Sequence, residues 1–400
     1  MLAPNGPGMF SFDDLYEMAS KVSDQALQEM EKAVQPNDVA QIQYTSGTTG
    51  FPKGAMLKHH SILNNAYFWA DCVGITEQTR WCNPMPLFHT GGCVMGVLGA
   101  VSRGACHVPM IEFDPLKVLQ ALHKERCAFI GSVPTMLIAY MEHPEFSAFD
   151  LSPLKLIISG GAAVPVELSK RVKREMGAEI RVVYGLTEAG PVITQTLMDD
   201  PPEFVIDTVG RPIAYVEVKL VDPVTGEIVP TGEPGELCCR GYNVMEGYYQ
   251  MPDKTAEAID ADGWLHSGDL ATMNDRGYSN IVGRSKDMII RGGENIYPRE
   301  IEEFLLTHPR IVDVYVVGVP DQKFGEQLAA AIQLRPGETL TEDEVKEFCR
   351  EKISRHKIPK YVIFRQQFPL TGSGKVQKFK LQQELTKDLG LEHLTKIKTA

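Results

Sequence analysis

The stretch "IRVVYGLTEAG" (residues 180–190) decides the fold class, because an apolar, β-branched run ends abruptly in glycine and polar residues. Its first part, "IRVVYG", is typical of a buried β-strand. Two similar runs, "CAFIGSV" (127–133) and "LKLIISG" (154–160), precede it and are separated from it by helical stretches. This alternation predicts an α/β region with a largely parallel sheet. Ligands of such sheets usually bind beyond the carboxyl ends of the strands.

The pattern changes on both sides of this region. Ser11 is predicted to open a helix that is capped by Asp14 and runs toward Met30. Residues 216–241 contain two alternating runs around Pro/Gly turns, which predict a small antiparallel β-barrel. A further break follows "GRSKD" (283–287), and the alternation returns in "VDVYVVGV" (312–319), which indicates a smaller α+β domain. We therefore expect a tail and helix over 1–36, a large domain over 37–285 and a C-terminal domain over 286–400.

Composition excludes several classes of protein. The 400 residues fit two or three domains, and the net charge of −12 argues against general nucleic-acid binding. Eight cysteines without any C-x-x-C pair predict neither a zinc site nor a disulfide framework, so a reduced, cytoplasmic setting is expected. The most apolar stretch, "GGCVMGVLGAV" (91–101), is too short to cross a bilayer and is predicted to be a buried helix. Residues 350–380 hold nine basic side chains and one acidic one, which is either a solvated face or a surface for an anionic ligand.

The stretch "YTSGTTGFPKG" (44–54) combines glycines, hydroxyls and a lysine after the predicted strand "AQIQYT". Glycines allow close backbone approach, exposed N–H groups form a nest for anions, and hydroxyls and an ammonium add donors. It is not a Walker A loop, because Pro52 stands where that motif needs glycine and Gly54 follows the lysine. The alternative is a mobile surface turn. The density of donors favours a loop that holds phosphate.

These motifs, with others in order along the chain, resemble the adenylate-forming (AMP-binding) superfamily of acyl- and aryl-CoA synthetases, firefly luciferase and peptide-synthetase adenylation domains. The similarity is carried by "YTSGTTGFPKG" (44–54), "SGGAAV" (159–164), "YGLTEAG" (184–190), "WLHSGDLA" (264–271), "GRSKDMIIRGGENIYPREIE" (283–302) and "PLTGSGKVQK" (369–378). Within it, the hinge and tail are most similar to fatty acyl-CoA synthetases, particularly the medium-chain acyl-CoA synthetase family member 2 group. The resemblance implies a large N-terminal domain with parallel α/β sheets and a small barrel, and a smaller, mobile C-terminal domain.

The resemblance also implies roles for individual residues. Lys375 would contact the carboxylate and the α-phosphate, Thr187 would meet phosphate, and Glu188 would hold Mg²⁺. The phosphate loop would comprise Thr45, Ser46, Gly47, Thr48, Thr49, Gly50 and Lys53. Without the resemblance, Lys375 is an exposed lysine on a basic tail and Glu188 a helix cap.

For the nucleoside, the resemblance implies that Tyr184 stacks on adenine while Gly161, Ala162 and Gly185 allow close backbone approach. Asp269 would accept from the ribose hydroxyls, assisted by Arg284, although "GD" is also an ordinary turn. His89 would border the acyl site and gate the thiol path, and the small apolar residues 90–101 suit an aliphatic chain or simple helix packing. Lys286 would be the hinge residue, and Gly292 and Gly293 would leave room for the pantetheine arm of coenzyme A.

The function expected from this resemblance is ATP-dependent ligation of a fatty acid to coenzyme A, with ATP, Mg²⁺ and coenzyme A as cofactors or co-substrates. Family members carry a long segment before the phosphate loop, whereas 43 residues precede Tyr44 here. An N-terminally truncated chain is therefore expected, and open strand edges would favour association, for instance as a homodimer. Three alternatives stay open: an aryl-acid CoA ligase, a stand-alone adenylation enzyme and a non-catalytic nucleotide-binding fragment.

Overall fold

The computed structural model describes residues 10–45, 52–161, 164–370 and 376–396. Its first elements are helices α1 (Phe12–Ala19) and α2 (Asp24–Ala33), and neither contains a buried residue. Ser11 and Asp14 form the predicted capping box. The single helix expected to run toward Met30 is wrong, because the chain breaks after α1 and the Ser23 side chain caps a second helix by accepting from the Ala26 N–H.

The next elements form a small three-stranded sheet. Strands β1 (Val39–Thr45) and β2 (Lys53–Lys58) pair as an antiparallel hairpin, and helix α3 (His59–Cys72) follows directly. The third strand of this sheet comes from far along the chain and pairs with β2. The predicted strand "AQIQYT" is therefore confirmed.

The largest sheet among the described residues comprises β3 (Arg80–Asn83), β4 (Cys106–Pro109), β5 (Phe129–Gly131), β6 (Leu156–Gly160), β7 (Glu179–Gly185), β8 (Val192–Gln195) and β9 (Arg211–Pro212). These seven strands run in the order β4–β3–β5–β6–β7–β8–β9. The pairs from β4 to β7 are parallel, and β8 and β9 add to the edge in antiparallel fashion. The predicted parallel α/β region is confirmed.

Helices connect these strands in the manner that parallel strands require. The parallel connections contain α4 (Gly99–Ser102), α5 (Pro115–Lys124), α6 (Pro134–Met141) and α7 (Val166–Met176), whereas α8 (Pro202–Asp207) lies between the antiparallel strands β8 and β9. Asp114 caps the start of α5 before a proline at its first position, and Gly177 ends α7 with φ of 69°. Strand β6 is buried along almost its whole length, as expected for a strand covered by helices on both faces.

A second antiparallel sheet follows. It runs in the order β10–β11–β13–β14 and comprises β10 (Val216–Val221), β11 (Gly235–Gly241), β13 (Leu265–Met273) and β14 (Ser279–Arg284). Strand β12 (Gly247–Tyr248) leaves this series to join β2, and helix α9 (Pro252–Ala258) lies between β12 and β13. The predicted antiparallel strands are confirmed. Closure into a barrel is not, since the outer strands β10 and β14 are not hydrogen-bonded neighbours in the described part of the chain.

The C-terminal segment forms its own α+β unit. Its five-stranded sheet contains β15 (Ile289–Arg291), β16 (Glu294–Ile296), β17 (Ile311–Asp321), β18 (Gly325–Leu334) and β19 (Tyr361–Phe364). Helices α10 (Pro298–Leu306), α11 (Glu342–Cys349) and α12 (Lys378–Asp388) accompany it. Its apolar clusters are separate from the large cluster of the preceding segment. The domain limits at 36 and 285 remain predictions.

No helix among the described residues is both long and apolar enough to cross a membrane.

Candidate active site

Asp269 joins the parallel sheet to the second antiparallel sheet. Tyr184, next to the last residue of β7, donates a hydrogen bond from Oη to Asp269 Oδ2 over 2.8 Å. Arg284 Nε donates to the other oxygen, Oδ1, over 2.9 Å. Asp269 and Arg284 are directly paired across β13 and β14, which explains why the two side chains meet. A carboxylate has about four lone-pair directions, so Asp269 has capacity for two further donors.

Glu188 lies at the centre of a second group of contacts. It belongs to a 3₁₀ turn, Thr187–Ala189, just beyond the carboxyl end of β7, and its side chain is buried. Tyr248 donates from Oη to Glu188 Oε1 over 2.8 Å, and Lys53 Nζ donates to the same Tyr248 oxygen over 2.9 Å. Burial, together with the charge of Glu188, raises the pKa of Tyr248. The arrangement links a buried carboxylate to an ammonium group through one phenol.

Lys286 adds a further cationic side chain near the contacts of Asp269 and Glu188. Lys286 lies in the 3₁₀ turn that follows β14. Burial lowers the pKa of its ammonium group, and the charges of Arg284 and Lys53 lower it further. Lys286 therefore lies within electrostatic reach of Arg284 and Lys53, and the carboxylates of Asp287 and Asp269 oppose their effect on its pKa. An anion placed among these cations would relieve the repulsion between them, as a polyphosphate does in nucleotide sites.

The hairpin of β1 and β2 places both ends of the predicted phosphate loop. Thr45 and Lys53 are paired in register, and Thr45 Oγ1 donates to the Lys53 carbonyl oxygen over 3.3 Å. Because β2 pairs with β12, the end of this loop lies beside Tyr248 and Glu188. The predicted residues Ser46, Gly47, Thr48, Thr49 and Gly50 lie outside the described part of the chain, so their role stays a prediction.

The local backbone structure accounts for the glycines at the ends of β6 and β7. A Cβ on Gly185 would stand 1.9 Å from the Pro191 carbonyl oxygen, so glycine is needed for β8 to approach β7. Gly161 follows β6 with φ of 74°, a conformation that favours glycine. Ala162 lies outside the described residues. Close approach of adenine to this backbone remains a prediction.

The pair Gly292 and Gly293 forms the turn of a two-residue hairpin between β15 and β16. Arg291 and Glu294 are paired, and the two glycines have φ of 61° and 89°. Positive φ at both central positions is the requirement of the type I′ turn, which glycine meets without strain. A Cβ on Gly293 would meet no atom within 4 Å, so space around it is open. Passage of the pantetheine arm across this turn remains a prediction.

His89 precedes an unusual helix. Residues Gly91–Leu98 form a π-helix that continues into α4, and such segments often occur at functional sites. His89 Nδ1 accepts a hydrogen bond of 2.9 Å from the Gly91 N–H. Cβ atoms on Gly92 and Gly96 would lie 2.1 Å from the Pro86 carbonyl oxygen and from Asn83 Nδ2, respectively. The predicted buried helix is thus partly π-helical and packs through its glycines, and its acyl-binding role stays a prediction.

Lys375 lies outside the described residues, but both of its flanks are placed. Leu370 and Val376 form an isolated β-bridge. Val376 borders a cavity of about 140 Å³ together with Val133 and Pro165, which follow strands β5 and β6. Val376 therefore lies near the carboxyl-terminal edge of the parallel sheet, the same edge at which Tyr184 and Glu188 lie.

Sequence analysis missed Tyr248. It contacts both Glu188 and Lys53, which are 60 and 195 residues away in the chain, respectively. The only local signal is the two-residue strand Gly247–Tyr248, which is too short to be recognised from an alternating pattern. Glu236 was missed as well; its Oε1 accepts from the Gly268 N–H over 2.9 Å and so holds the backbone next to Asp269.

The basic segment 350–380 is less available to an anion than its composition indicates. Several of its cationic side chains form ion pairs with carboxylates from other elements: Lys357 with Glu300 at 2.6 Å, Lys360 with Asp321 at 2.8 Å, Lys378 with Glu302 at 2.6 Å, and Arg365 with Asp388. The Lys352 ammonium group lies over the Phe348 ring, 4.1 Å from its centroid. A solvated, internally paired surface therefore accounts for these residues. Contact with coenzyme A phosphates remains a prediction.

Comparison with known families gives two matches. The model of the AMP-binding enzymes matches residues 6–249, and the model of the AMP-binding enzyme C-terminal domain matches residues 300–375. Both groups of contacts around Asp269 and Glu188 draw residues from the first match.

Similar curated proteins are named as acyl-CoA synthetases or ligases. The putative acyl-CoA synthetase YngI of Bacillus subtilis (strain 168) is 52% identical over 378 residues, covering 94% of this chain and 69% of that protein. The mitochondrial medium-chain acyl-CoA ligase ACSF2 of Danio rerio is 44% identical over 389 residues, covering 96% of this chain and 64% of that protein. The chain thus spans about two thirds of the length of these relatives.

Solved structures also match the fold of this chain. ATP-bound MatB from Rhodopseudomonas palustris matches with a TM-score of 0.82 and 32% identity, covering 88% of this chain and 69% of that chain. The anthranilate CoA ligase AuaEII in complex with anthranoyl-AMP matches with a TM-score of 0.83 and 28% identity, covering 89% of this chain and 69% of that chain.

Proposed function

The chain belongs to the AMP-binding enzyme family, and from that premise we propose that it ligates a fatty acid of medium to long chain to coenzyme A. The reaction uses ATP, passes through an acyl-adenylate and releases AMP and pyrophosphate. The observation that carries the proposal is that two groups of contacts meet at the end of β7, where Tyr184 holds Asp269 beside Arg284 and where Glu188 is joined through Tyr248 to Lys53. That arrangement offers acceptors to a ribose and positive charge to a polyphosphate.

Adenylation brings two anions together. A carboxylate oxygen attacks the α-phosphorus of ATP, the bond from that phosphorus to the pyrophosphate oxygen breaks, and pyrophosphate leaves with the electron pair. Cations that stand beside the phosphates lower the repulsion between nucleophile and electrophile. Lys53 is held in position through Tyr248. Lys375 is proposed to supply a further charge, because the next residue, Val376, lies near the same sheet edge.

The surroundings of Glu188 fit a bound Mg²⁺. The carboxylate is buried beyond the end of β7, and Tyr248 holds one of its oxygens. Mg²⁺ is typically held by one or two carboxylates together with substrate phosphates. Bound there, it would neutralise phosphate charge. Glu188 would be its protein ligand, and Thr187, in the same 3₁₀ turn, would face the phosphates.

Thioester formation needs a different set of groups. The thiol sulfur attacks the acyl carbonyl carbon, the bond to the phosphate oxygen breaks, AMP leaves with the electron pair, and the thiol proton is lost. We propose that the C-terminal segment rotates about Lys286 between the two steps, which would withdraw Lys375 and bring the turn of Gly292 and Gly293 to the site. The boundary of the apolar clusters on either side of this residue supports a hinge there.

The acyl substrate is proposed from the relatives and from the π-helix. ACSF2 is named as a medium-chain acyl-CoA ligase, and it shares 44% of aligned residues with this chain. The π-helix Gly91–Leu98 consists of small and aliphatic residues, which suit an aliphatic chain. An aryl acid is the second candidate, because the structure of an anthranilate CoA ligase matches this fold at a TM-score of 0.83.

The experiment measures pyrophosphate release and thioester formation with saturated acids of graded length and with aromatic acids. We expect turnover to be highest with a medium or long aliphatic acid and to require ATP, Mg²⁺ and coenzyme A. Lys375→Ala is expected to lower pyrophosphate release strongly, whereas Lys396→Ala, near the end of the chain, is the matched control. Preference for an aromatic acid would support the second candidate. A folded sample that binds ATP without lysine-dependent release would instead indicate a non-catalytic fragment.

A further inference from the structure

Three side chains with metal-binding chemistry converge on the second antiparallel sheet, away from the Glu188 carboxylate. Glu236 and Cys238 lie two residues apart on β11, and His266 lies on β13. Cys238 and His266 are direct partners in the register of the two strands. Residues two apart on a strand and their cross-strand partner share one face of a sheet, which explains the convergence.

The donor atoms already stand at nearly the separations that a shared ion requires. His266 Nδ1 lies 2.9 Å from Glu236 Oε2 and 3.4 Å from Cys238 Sγ. One donor atom from each of the three residues lies within 4.8 Å of the other two. Tetrahedral Zn²⁺ with bonds of about 2.0–2.3 Å places its ligands about 3.4–3.6 Å apart. The two separations at His266 Nδ1 are therefore within about half an ångström of that spacing, and the donor atoms of Glu236 and Cys238 lie within 4.8 Å of each other.

The surroundings resemble those of an oriented metal ligand. Asp260 Oδ2 lies 3.8 Å from His266 Nε2, on the opposite side of the imidazole ring from the cluster. A carboxylate in that position commonly orients a metal-bound histidine. Glu236 Oε1 accepts from the Gly268 N–H over 2.9 Å, so one oxygen of this carboxylate is fixed by the backbone while the other faces His266.

We propose that Glu236, Cys238 and His266 bind a divalent transition-metal ion, of which Zn²⁺ fits the sulfur, nitrogen and oxygen donors best. Thiolate and imidazole favour zinc over the hard cations Mg²⁺ and Ca²⁺, which prefer oxygen ligands. Cys238 is fully buried, whereas about a third of the His266 side chain is exposed, so an ion can enter from the histidine side. A water molecule would complete the four ligands.

Such an ion would connect this sheet to the nucleotide site. Gly268, held by Glu236, immediately precedes Asp269 on β13. An ion bound to Glu236 and His266 would therefore brace the backbone on both sides of Ser267. The site is distinct from the magnesium site proposed at Glu188, because it shares no residue with that site and uses softer donors.

The experiment adds Co²⁺ to the full chain after treatment with a chelator and records the near-ultraviolet and visible absorption. We expect one equivalent of Co²⁺ to produce a thiolate-to-cobalt charge-transfer band and the strong visible bands of a tetrahedral ion. Added Zn²⁺ should displace the cobalt and abolish both bands. Absence of a charge-transfer band at saturating Co²⁺ would overturn the proposal and leave a triad joined by hydrogen bonds alone.

Two variants and a control assign the ligands. Cys238→Ser should abolish the charge-transfer band, whereas Cys106→Ser, at an exposed cysteine on β4, should retain it. Glu236→Gln can still accept from the Gly268 N–H, so it should stay folded, keep the band and bind Co²⁺ about tenfold more weakly or worse. Retention of the band in Cys238→Ser, or unchanged affinity in a folded Glu236→Gln protein, would overturn the assignment. If Cys238→Ser fails to fold, the Glu236→Gln measurement decides.

Discussion

Tyr184 and Asp269 stand 85 residues apart in the chain and are joined by a hydrogen bond of 2.8 Å between a phenol and a carboxylate. Tyr184 belongs to β7 of the parallel sheet, and Asp269 belongs to β13 of the antiparallel sheet. Arg284 holds the other oxygen of the same carboxylate. The proposed ribose acceptor is therefore oriented from two sheets before any nucleotide arrives.

Removal of the Tyr184 hydroxyl tests this orientation. Tyr184→Phe leaves the ring in place and deprives Asp269 of one donor, and hydrogen bonds to charged groups contribute about 1.5–3 kcal/mol. We expect the KM for ATP to rise about tenfold, equivalent to ~1.4 kcal/mol. Steady-state kinetics with varied ATP measure the change. Tyr215→Phe, at an exposed tyrosine, is the control; an equal effect in both variants would contradict the assignment.

The Tyr248 hydroxyl is predicted to matter for the metal rather than for the nucleoside. Tyr248→Phe removes the group that connects Glu188 to Lys53. Loss of a group that holds a metal ligand commonly lowers metal affinity about 10–100-fold. We expect the Mg²⁺ concentration for half-maximal adenylation to rise within that range. Tyr249→Phe provides a neighbouring control on the same segment, and an unchanged Mg²⁺ requirement in Tyr248→Phe would count against Glu188 as the ligand.

Restriction of the backbone at Lys286 tests the proposed rotation. Proline holds φ near −65° and removes the N–H, so Lys286→Pro should hinder rotation, whereas Lys286→Ala should not. Both variants lack the Lys286 ammonium group, so we expect them to release pyrophosphate at similar rates, whereas Lys286→Pro should form thioester at least about tenfold more slowly than Lys286→Ala, a difference of ~1.4 kcal/mol. Single-turnover assays separate the two steps. Equal slowing of both steps by proline would argue against a hinge at this residue.

Substitution of Gly293 tests whether this glycine serves only the hairpin turn or also leaves room for the pantetheine arm of coenzyme A. Space around a Cβ at this position is open, and asparagine tolerates positive φ better than other side chains. Gly293→Asn should therefore change the melting temperature little, while the KM for coenzyme A rises several-fold and that for ATP does not. Gly337→Asn, at another positive-φ glycine with open space, is the control. A KM for coenzyme A that stays constant would remove Gly293 from the pantetheine path.

Stability of the C-terminal segment should depend on pH through Asp313. Burial raises the pKa of this carboxyl to about 7, even though the Tyr315 hydroxyl and the Val314 N–H donate to it. The ordinary pKa of an aspartate carboxyl is 3.8, so between pH 3.8 and pH 7 Asp313 holds a proton in the folded protein that it has lost in the unfolded chain. The contribution of the Asp313 carboxyl to the free energy of unfolding is therefore fully present below pH 3.8. It then falls by at most about 1.4 kcal/mol per pH unit and is lost as the pH rises through 7.

Asp313→Asn is expected to remove this dependence. Its urea midpoint should exceed that of the parent chain by more at pH 8 than at pH 5, because the parent loses the contribution of Asp313 over that range and must bury a charge at pH 8. Asp275→Asn, at an exposed turn, should shift neither comparison. The same difference between variant and parent at both pH values would show that Asp313 does not titrate in this range.

Local sequence was sufficient for the elements whose signals lie within a few residues. The apolar runs that became β5, β6 and β7 alternate with helices, and the parallel sheet follows from that rhythm. The capping box of Ser11 and Asp14 was equally local. The motif order identified the family. Tyr184, Gly185 and Glu188 lie at or just beyond the end of β7, as the position of their motif indicated.

Contacts between distant strands required the tertiary structure. Tyr248 reaches Glu188 and Lys53 because a two-residue strand pairs with β2, a pairing without any periodic signal. Cys238 faces His266 because of the register between β11 and β13, and a shift of one residue would turn it to the other face. The basic segment became a set of ion pairs because acidic partners from other elements lie beside it. Strand order and register bring such residues together, and both depend on contacts between segments that are distant in the chain, so local sequence does not determine them.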